Sequence, residues 1–155
     1  MKSKNPTKWD VRFIDMVRLV ASWSSDESTK CGCVIVSPDN TILTTGYNGL
    51  PRRAEYTPER TARPMKYMWF EHSERNAIYN AARHGVALHG CKAYVTGPPC
   101  VDCARALVQA GIKEVAIPSA HNFTDRTDDK WTESCRVAEI VMAEGCIDYY
   151  KLQGL

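Results

Sequence analysis

Three times in its second half the chain runs from a segment of helical periodicity, through a glycine, into a short β-rich run. Glu71–His84 ends at Gly85 and is followed by Ala93–Thr96. Cys100–Ala110 stops at Gly111, ahead of Val115–Ile117. Glu133–Glu144 ends at Gly145, ahead of Ile147–Leu152. Glycine suits the left-handed position just past a helix. Helices that alternate with strands in this way predict parallel pairing, with helices packed on the faces of a sheet. The first half supplies the remaining elements. Thr7 and Asp10 form a capping-box pattern, and Trp9, Phe13, Met16, Val17 and Val20 then recur at helical spacing to about Ser22. A hairpin follows, from Cys31–Ser37 through a Pro38-Asp39-Asn40 turn into a second run that reaches Thr45. The order α-β-β-α-β-α-β-α-β predicts a helix–sheet–helix sandwich. No linker divides residues 1–155, so a single domain is expected.

Between Leu50 and Met68 the periodicity lapses. Three Pro and five Arg or Lys stand there against two Glu, which reads as a long loop, and loops of that length in a compact domain are usually functional or disordered. Arg52, Arg53, Arg60, Arg63 and Lys66 are candidate phosphate contacts within it. The net charge of +2 does not favour an extended nucleic-acid groove. The N-terminal residues lack the apolar core of a secretory signal, and no apolar run is long enough for a membrane span. Seven cysteines scattered among periodic segments read as reduced thiols of a cytoplasmic protein. Cys31-Gly32-Cys33 would direct both sulfurs to one face of a strand, into the core.

The chemistry concentrates in two stretches. His72-Ser73-Glu74 stands at one predicted helix start, and Pro99-Cys100-Val101-Asp102-Cys103 stands at another. Alone, His-x-Glu is most often a solvated helix face, and Cys-x-x-Cys is redox-active, structural or metal-binding. Together they offer one imidazole and two thiolates, a three-ligand set that leaves a fourth zinc position open for catalysis. A helix N-terminus favours the thiolate form. His-x-Glu followed by Pro-Cys-x-x-Cys is also the signature of zinc-dependent nucleobase deaminases. Trp69 and Phe70, just ahead of His72, read either as pocket wall or as core.

The stretches Thr45–Gly49 (TGYNG), His72–Ile78 (HSERNAI) and Ala93–Val115, with the closing helix and strand, carry a resemblance to the cytidine/deoxycytidylate deaminase family. Within it the chain is most similar to the deoxycytidylate (dCMP) deaminase branch. The resemblance spans roughly Trp9 to Lys151 and is weak across residues 51–68 and 119–132. It implies a three-layer α/β/α sandwich around a central five-stranded mixed sheet. It implies one catalytic Zn²⁺ on His72, Cys100 and Cys103, with Glu74 as the proton shuttle in hydrolysis of dCMP to dUMP and ammonia. It assigns substrate contacts to Asn48, Ser73, Thr96 and Pro99, and Ser73 departs from the usual Ala. No second, structural zinc is expected, because no Cys occurs between Cys33 and Cys91. A homo-oligomer, dimer or hexamer, is implied, and the GYNG turn permits the dCTP activation and dTTP inhibition of several branch members. The motifs leave other substrates open, namely CMP, dCTP, guanine or a transfer-RNA adenosine, and a non-catalytic zinc- or nucleotide-binding module is the contrasting reading.

Overall fold

A computed structural model describes residues 1–121 and 129–155. The elements follow the chain as β1 (Lys2–Lys4), α1 (Lys8–Ser22), β2 (Gly32–Val36), β3 (Ile42–Tyr47), α2 (Pro58–Thr61), α3 (Lys66–Trp69), α4 (Ser73–Arg83), β4 (Lys92–Val95), α5 (Val101–Gln109), β5 (Glu114–Pro118), α6 (Asp129–Glu144) and β6 (Asp148–Leu152). The strands form one mixed sheet in the order β1-β6-β5-β4-β2-β3. β4, β5 and β6 run parallel, and β2 is antiparallel to both β3 and β4.

The sheet therefore has six strands, where five were expected. The additional strand is β1, which pairs in parallel with β6 through Lys2–Tyr150 and Lys4–Leu152. Its three residues, Lys-Ser-Lys, carry no apolar alternation and sit at an edge, where charged side chains discourage further pairing. Two further expectations change. The span read as one loop from Leu50 to Met68 contains α2 and most of α3, each four residues long and too short to show a period. The last helix begins at Asp129 rather than Glu133. The expected polar loop over 119–131 lies in part outside the described residues.

Alternation along the strands divides the core in two. Cys33, Ile35, Ala93, Val95, Val115 and Ile117 face α4, α5 and α6, while Val34, Val36, Tyr94, Ala116 and Tyr150 face α1. Each set is buried, giving helices on both faces of the sheet. The capping box at Thr7 is present, and its Asp10 does a second job on the sheet. The buried carboxylate accepts from Lys92 Nζ and Tyr94 Oη, both at 2.7 Å, and so fastens α1 to β4. Burial works against its charge, but Lys92, Thr7 and Tyr94 hold its pKa at about 2.

α4 lies tight against β3. Thr44 Oγ1 donates to the Ala77 carbonyl at 2.9 Å, Asn76 Nδ2 to the Tyr47 carbonyl at 2.7 Å and Asn80 Nδ2 to the Thr45 carbonyl at 2.7 Å. Gly46 makes this approach attainable. A Cβ there would stand 2.9 Å from Ala77 Cα and closer still to the Ser73 carbonyl oxygen and the Ala77 nitrogen. Backbone cannot yield as a flexible side chain can. Gly46→Ala is therefore expected to destabilise the fold by about 1–3 kcal/mol and, by shifting the start of α4, to lower bound zinc. Denaturant melts with metal quantification of the purified variant check both effects, and wild-type values in both would remove this role for Gly46.

Candidate metal centre and active site

His72 and Cys100 hold equivalent places in the fold. Each is the N-cap of its helix, α4 or α5, with extended backbone and no side-chain capping bond of its own. Both helices thus turn free N–H groups and the positive ends of their dipoles towards one spot. Cys103 lies in the first turn of α5 and is fully buried. The segment ahead of His72 is pinned by paired backbone bonds between Gly49 and Glu71, at 3.1 and 2.8 Å. On the α5 side, the Val101 N–H donates to Ser134 Oγ of α6 at 3.0 Å.

His72 Nδ1 lies 3.4 Å from Cys100 Sγ and 3.5 Å from Cys103 Sγ, and the three ligand atoms fall within 4.8 Å of one another. Tetrahedral Zn²⁺ with bonds of about 2.0 Å to nitrogen and 2.3 Å to sulfur sets N···S separations near 3.5 Å. The donor set and its spacing therefore fit zinc. It is the one such group among the described residues. The coupled thiols divide their roles. The Cys103 S–H bond to Cys100, together with His72, holds the Cys100 thiol well below its usual range, whereas Cys103 is pushed up by the same bond and by burial. The bond to Cys100 raises the His72 pKa. Arg75 pairs with Glu71 and approaches Asp102 Oδ2 at 3.6 Å, placing positive charge beside the sulfurs.

Glu74 is 5% exposed and borders a cavity that His72 and Cys100 also line. Burial raises the pKa of its carboxyl group, and Ser73 Oγ donates to Oε2 at 2.9 Å. The residue that departs from the resembled pattern thus fixes one carboxylate oxygen of Glu74. The cavity, of about 230 Å³, is also lined by Asn48, His72, Ser73, Thr96 and Cys100. Thr96 Oγ1 accepts from the Gly32 N–H at 3.3 Å. Pro99 is buried behind Cys100, and its neighbour Pro98 is the proline on the wall.

Other expectations divide. Phe70 lines the cavity, but Trp69 does not and has the Arg60 guanidinium over its ring. Cys31 reaches the cavity while Cys33 is in the core, so the two sulfurs do not enter the core together. Of the five cations proposed for phosphate, only Lys66 lines the cavity, and it is buried against Asp26. Arg52 donates to Asn80 Oδ1 and Arg60 to the Glu55 carbonyl, and neither lies on the cavity wall. Asp26 and Trp131 are wall residues that sequence reasoning passed over. Asp26 sits in the polar run Ser24–Lys30, which reads as a solvated loop, and Trp131 in a stretch read as loop. Asp26 carries no signal of burial, and the aromatic ring of Trp131 stands alone among charged and polar neighbours.

Comparison with known proteins bears on the same residues. Residues 7–119 match the family described as the cytidine and deoxycytidylate deaminase zinc-binding region. An uncharacterized deaminase encoded beside luxG in Aliivibrio fischeri is 35% identical over 145 residues, 92% of each chain. The human deoxycytidylate deaminase is 37% identical over 118 residues, 72% of this chain but 65% of its own length. The chain spans a little over half of a probable deoxycytidylate deaminase of Caenorhabditis elegans, at 38% identity, 54% of that protein and 67% of this one. Among solved structures, a cyanophage S-TIM5 dCMP deaminase crystallised with dCMP and dUMP superposes with a TM-score of 0.73 at 21% identity, covering 96% of this chain and all of that one, a likeness of fold. The match of residues 7–119 takes in all three metal ligands and the buried glutamate, and the chain belongs to the zinc-dependent cytidine and deoxycytidylate deaminase family.

Proposed function

We propose that the protein hydrolyses the exocyclic amine of dCMP, releasing ammonia and leaving dUMP. The observation that carries the reading is Glu74, buried beside a zinc-competent triad on the floor of a small cavity. The deoxycytidylate deaminases among its relatives support the choice of substrate. A cavity of about 230 Å³ is below the usual range of drug-sized sites, roughly 300–1,000 Å³, and suits one ring better than a large base stack.

Zn²⁺ held by His72, Cys100 and Cys103 supplies Lewis acidity that brings a water towards ionisation near neutral pH. Glu74 would take one proton of that water and pass it to ring N3 as the oxygen bonds to C4, then carry the proton of the new C4 hydroxyl to the amine, so that the C4–N bond breaks, the C4 carbonyl forms and ammonia leaves. One carboxylate can serve these transfers because it is buried at the cavity and its Oε2 is anchored by Ser73. Asn48, Thr96 and the Ser73 and Cys100 backbone N–H groups are assigned to orienting the nucleotide, and Pro99 to supporting Cys100 rather than touching substrate. An adjoining cavity of about 490 Å³ shares Thr96 and is bordered by Glu27, by Arg18, which pairs with Asp15, and by Lys30, which donates to the Ser22 carbonyl, and the reading assigns the 5′-phosphate to that side. The same reading places the enzyme in the cytoplasm, in keeping with seven cysteines scattered among periodic segments rather than spaced as a disulfide framework. It also makes the enzyme a homo-oligomer, in keeping with exposed Leu19, Trp23 and Tyr47. Among the described residues no helix is long and apolar enough to cross a membrane.

Ammonia release from dCMP, CMP, dCTP, deoxycytidine, guanine and an anticodon stem-loop tests the substrate, with preference for dCMP over deoxycytidine expected. Activity confined to guanine or RNA would overturn the dCMP reading. Glu74→Gln should retain a full complement of zinc yet lose about 10²–10⁴-fold in kcat. Near wild-type turnover would refute the shuttle. Cys100→Ser should lower both zinc stoichiometry and melting temperature, since the ligand set ties two helix starts together. Metal analysis and thermal melts read these directly, and an unchanged zinc content would remove Cys100 from the site.

A further inference from the structure

Lys66 and Asp26 meet on the wall of the active-site cavity, forty positions apart in sequence, with side chains only 4% exposed. Lys66 Nζ lies 3.0 Å from Asp26 Oδ1 and 2.7 Å from Oδ2, and it also donates to Ser28 Oγ. The ammonium is thus committed to the Asp26 carboxylate and the Ser28 hydroxyl.

Asp26 carries the arrangement onward. Its Oδ2 accepts from Asn48 Nδ2 at 3.3 Å, and the other Nδ2 hydrogen goes to the Thr29 carbonyl at 2.9 Å. Asn48 Oδ1 accepts from the Cys31 N–H at 2.7 Å. The opposite amide orientation would set NH₂ against an N–H and the amide oxygen against a carboxylate and a carbonyl. With both hydrogens used, the capacity that remains is one lone pair on Oδ1. Burial opposes the Asp26 charge, yet Lys66 and the Ser28 and Thr29 N–H groups keep its carboxyl pKa below the usual value.

We infer that Lys66 and Asp26 are positioning residues that hold the Asn48 carboxamide as an acceptor alone, so that the cavity selects a ligand hydroxyl at this point. The inference rests on the substrate reading above. In dCMP the exocyclic amine is the leaving group, the 5′ position carries phosphate and the 2′ position carries hydrogen. The 3′ hydroxyl is the donor left to meet Asn48.

The test is kcat/KM of zinc-loaded enzyme on dCMP and on 2′,3′-dideoxycytidine monophosphate. Wild type should favour dCMP by about 10- to 100-fold, the range for a polar site left without its partner. In Lys66→Met that preference should fall to within about threefold, through loss on dCMP with little change on the dideoxy compound. Lys66→Arg, which keeps the charge, should recover part of it. Should Lys66→Met fail to fold, the double variant Asp26→Leu/Lys66→Met leaves no charge unpaired and should show the same collapse. A merely structural role would lower both substrates alike and leave the ratio intact, and that result in either variant overturns the inference. Equal use of both compounds by wild type overturns it while sparing the substrate reading. No turnover of dCMP by zinc-loaded wild type overturns the substrate reading and the inference with it.

Discussion

The direction of β3 and β4 determines where everything else can stand. Both strands are antiparallel to β2, so they run the same way and the chain leaves both at one edge of the sheet. α5 follows β4 and returns the chain to parallel β5, so it must begin at that edge. α4 begins there as well, held by Gly46, by three side-chain bonds to β3 and by the Gly49–Glu71 bridge. Strand pairing places the start of α5, and these contacts bring the start of α4 to it. Crevices outside the carboxyl ends of strands are where open α/β sheets bind ligands.

That convergence explains the choice of ligands. Residues at N-cap positions project from extended backbone, beside N–H groups that no carbonyl of the helix satisfies. A thiolate at Cys100 is stabilised there by the α5 dipole, and an imidazole at His72 reaches across to it. Glu74, one residue inside α4 from Ser73, is anchored by the hydroxyl next to it. Arg75 then offsets part of the negative charge that two sulfurs and the surrounding carboxylates bring. Each of these relations is local along the chain or across the one helix pair.

This locality decides what could be read from sequence. The left-handed helix ends at Gly85 and Gly111, the Thr7 capping box and the two motifs of the metal triad are all short-range patterns, and the structure contains each of them, whereas past α6 it is Cys146, with φ 57°, and not Gly145 that turns left-handed. β1 was illegible because Lys-Ser-Lys is a strand only by virtue of its neighbour, where Lys4 lies over the Tyr150 ring and pairs with Asp148. α2 left a trace in Thr57-Pro58, an N-cap followed by proline at the first helical position, but four residues carry no period. The Lys66–Asp26 pair is the extreme case. Each member lies in a polar stretch whose ordinary fate is solvent, and only the fold reveals that both are buried.

The site is thus assembled by two different means. The metal ligands and Glu74 come from two contiguous motifs held at one sheet edge, so the chemical step depends on few and local requirements. The cavity wall around Asn48 is joined from three separated segments, the run after α1, the end of β3 and α3. Those segments sit largely in loops, where substitution disturbs little of the core. An architecture divided in this way can change what it recognises while leaving its hydrolytic centre intact, because the groups that select the ligand and those that break its bond are supported by different parts of the fold.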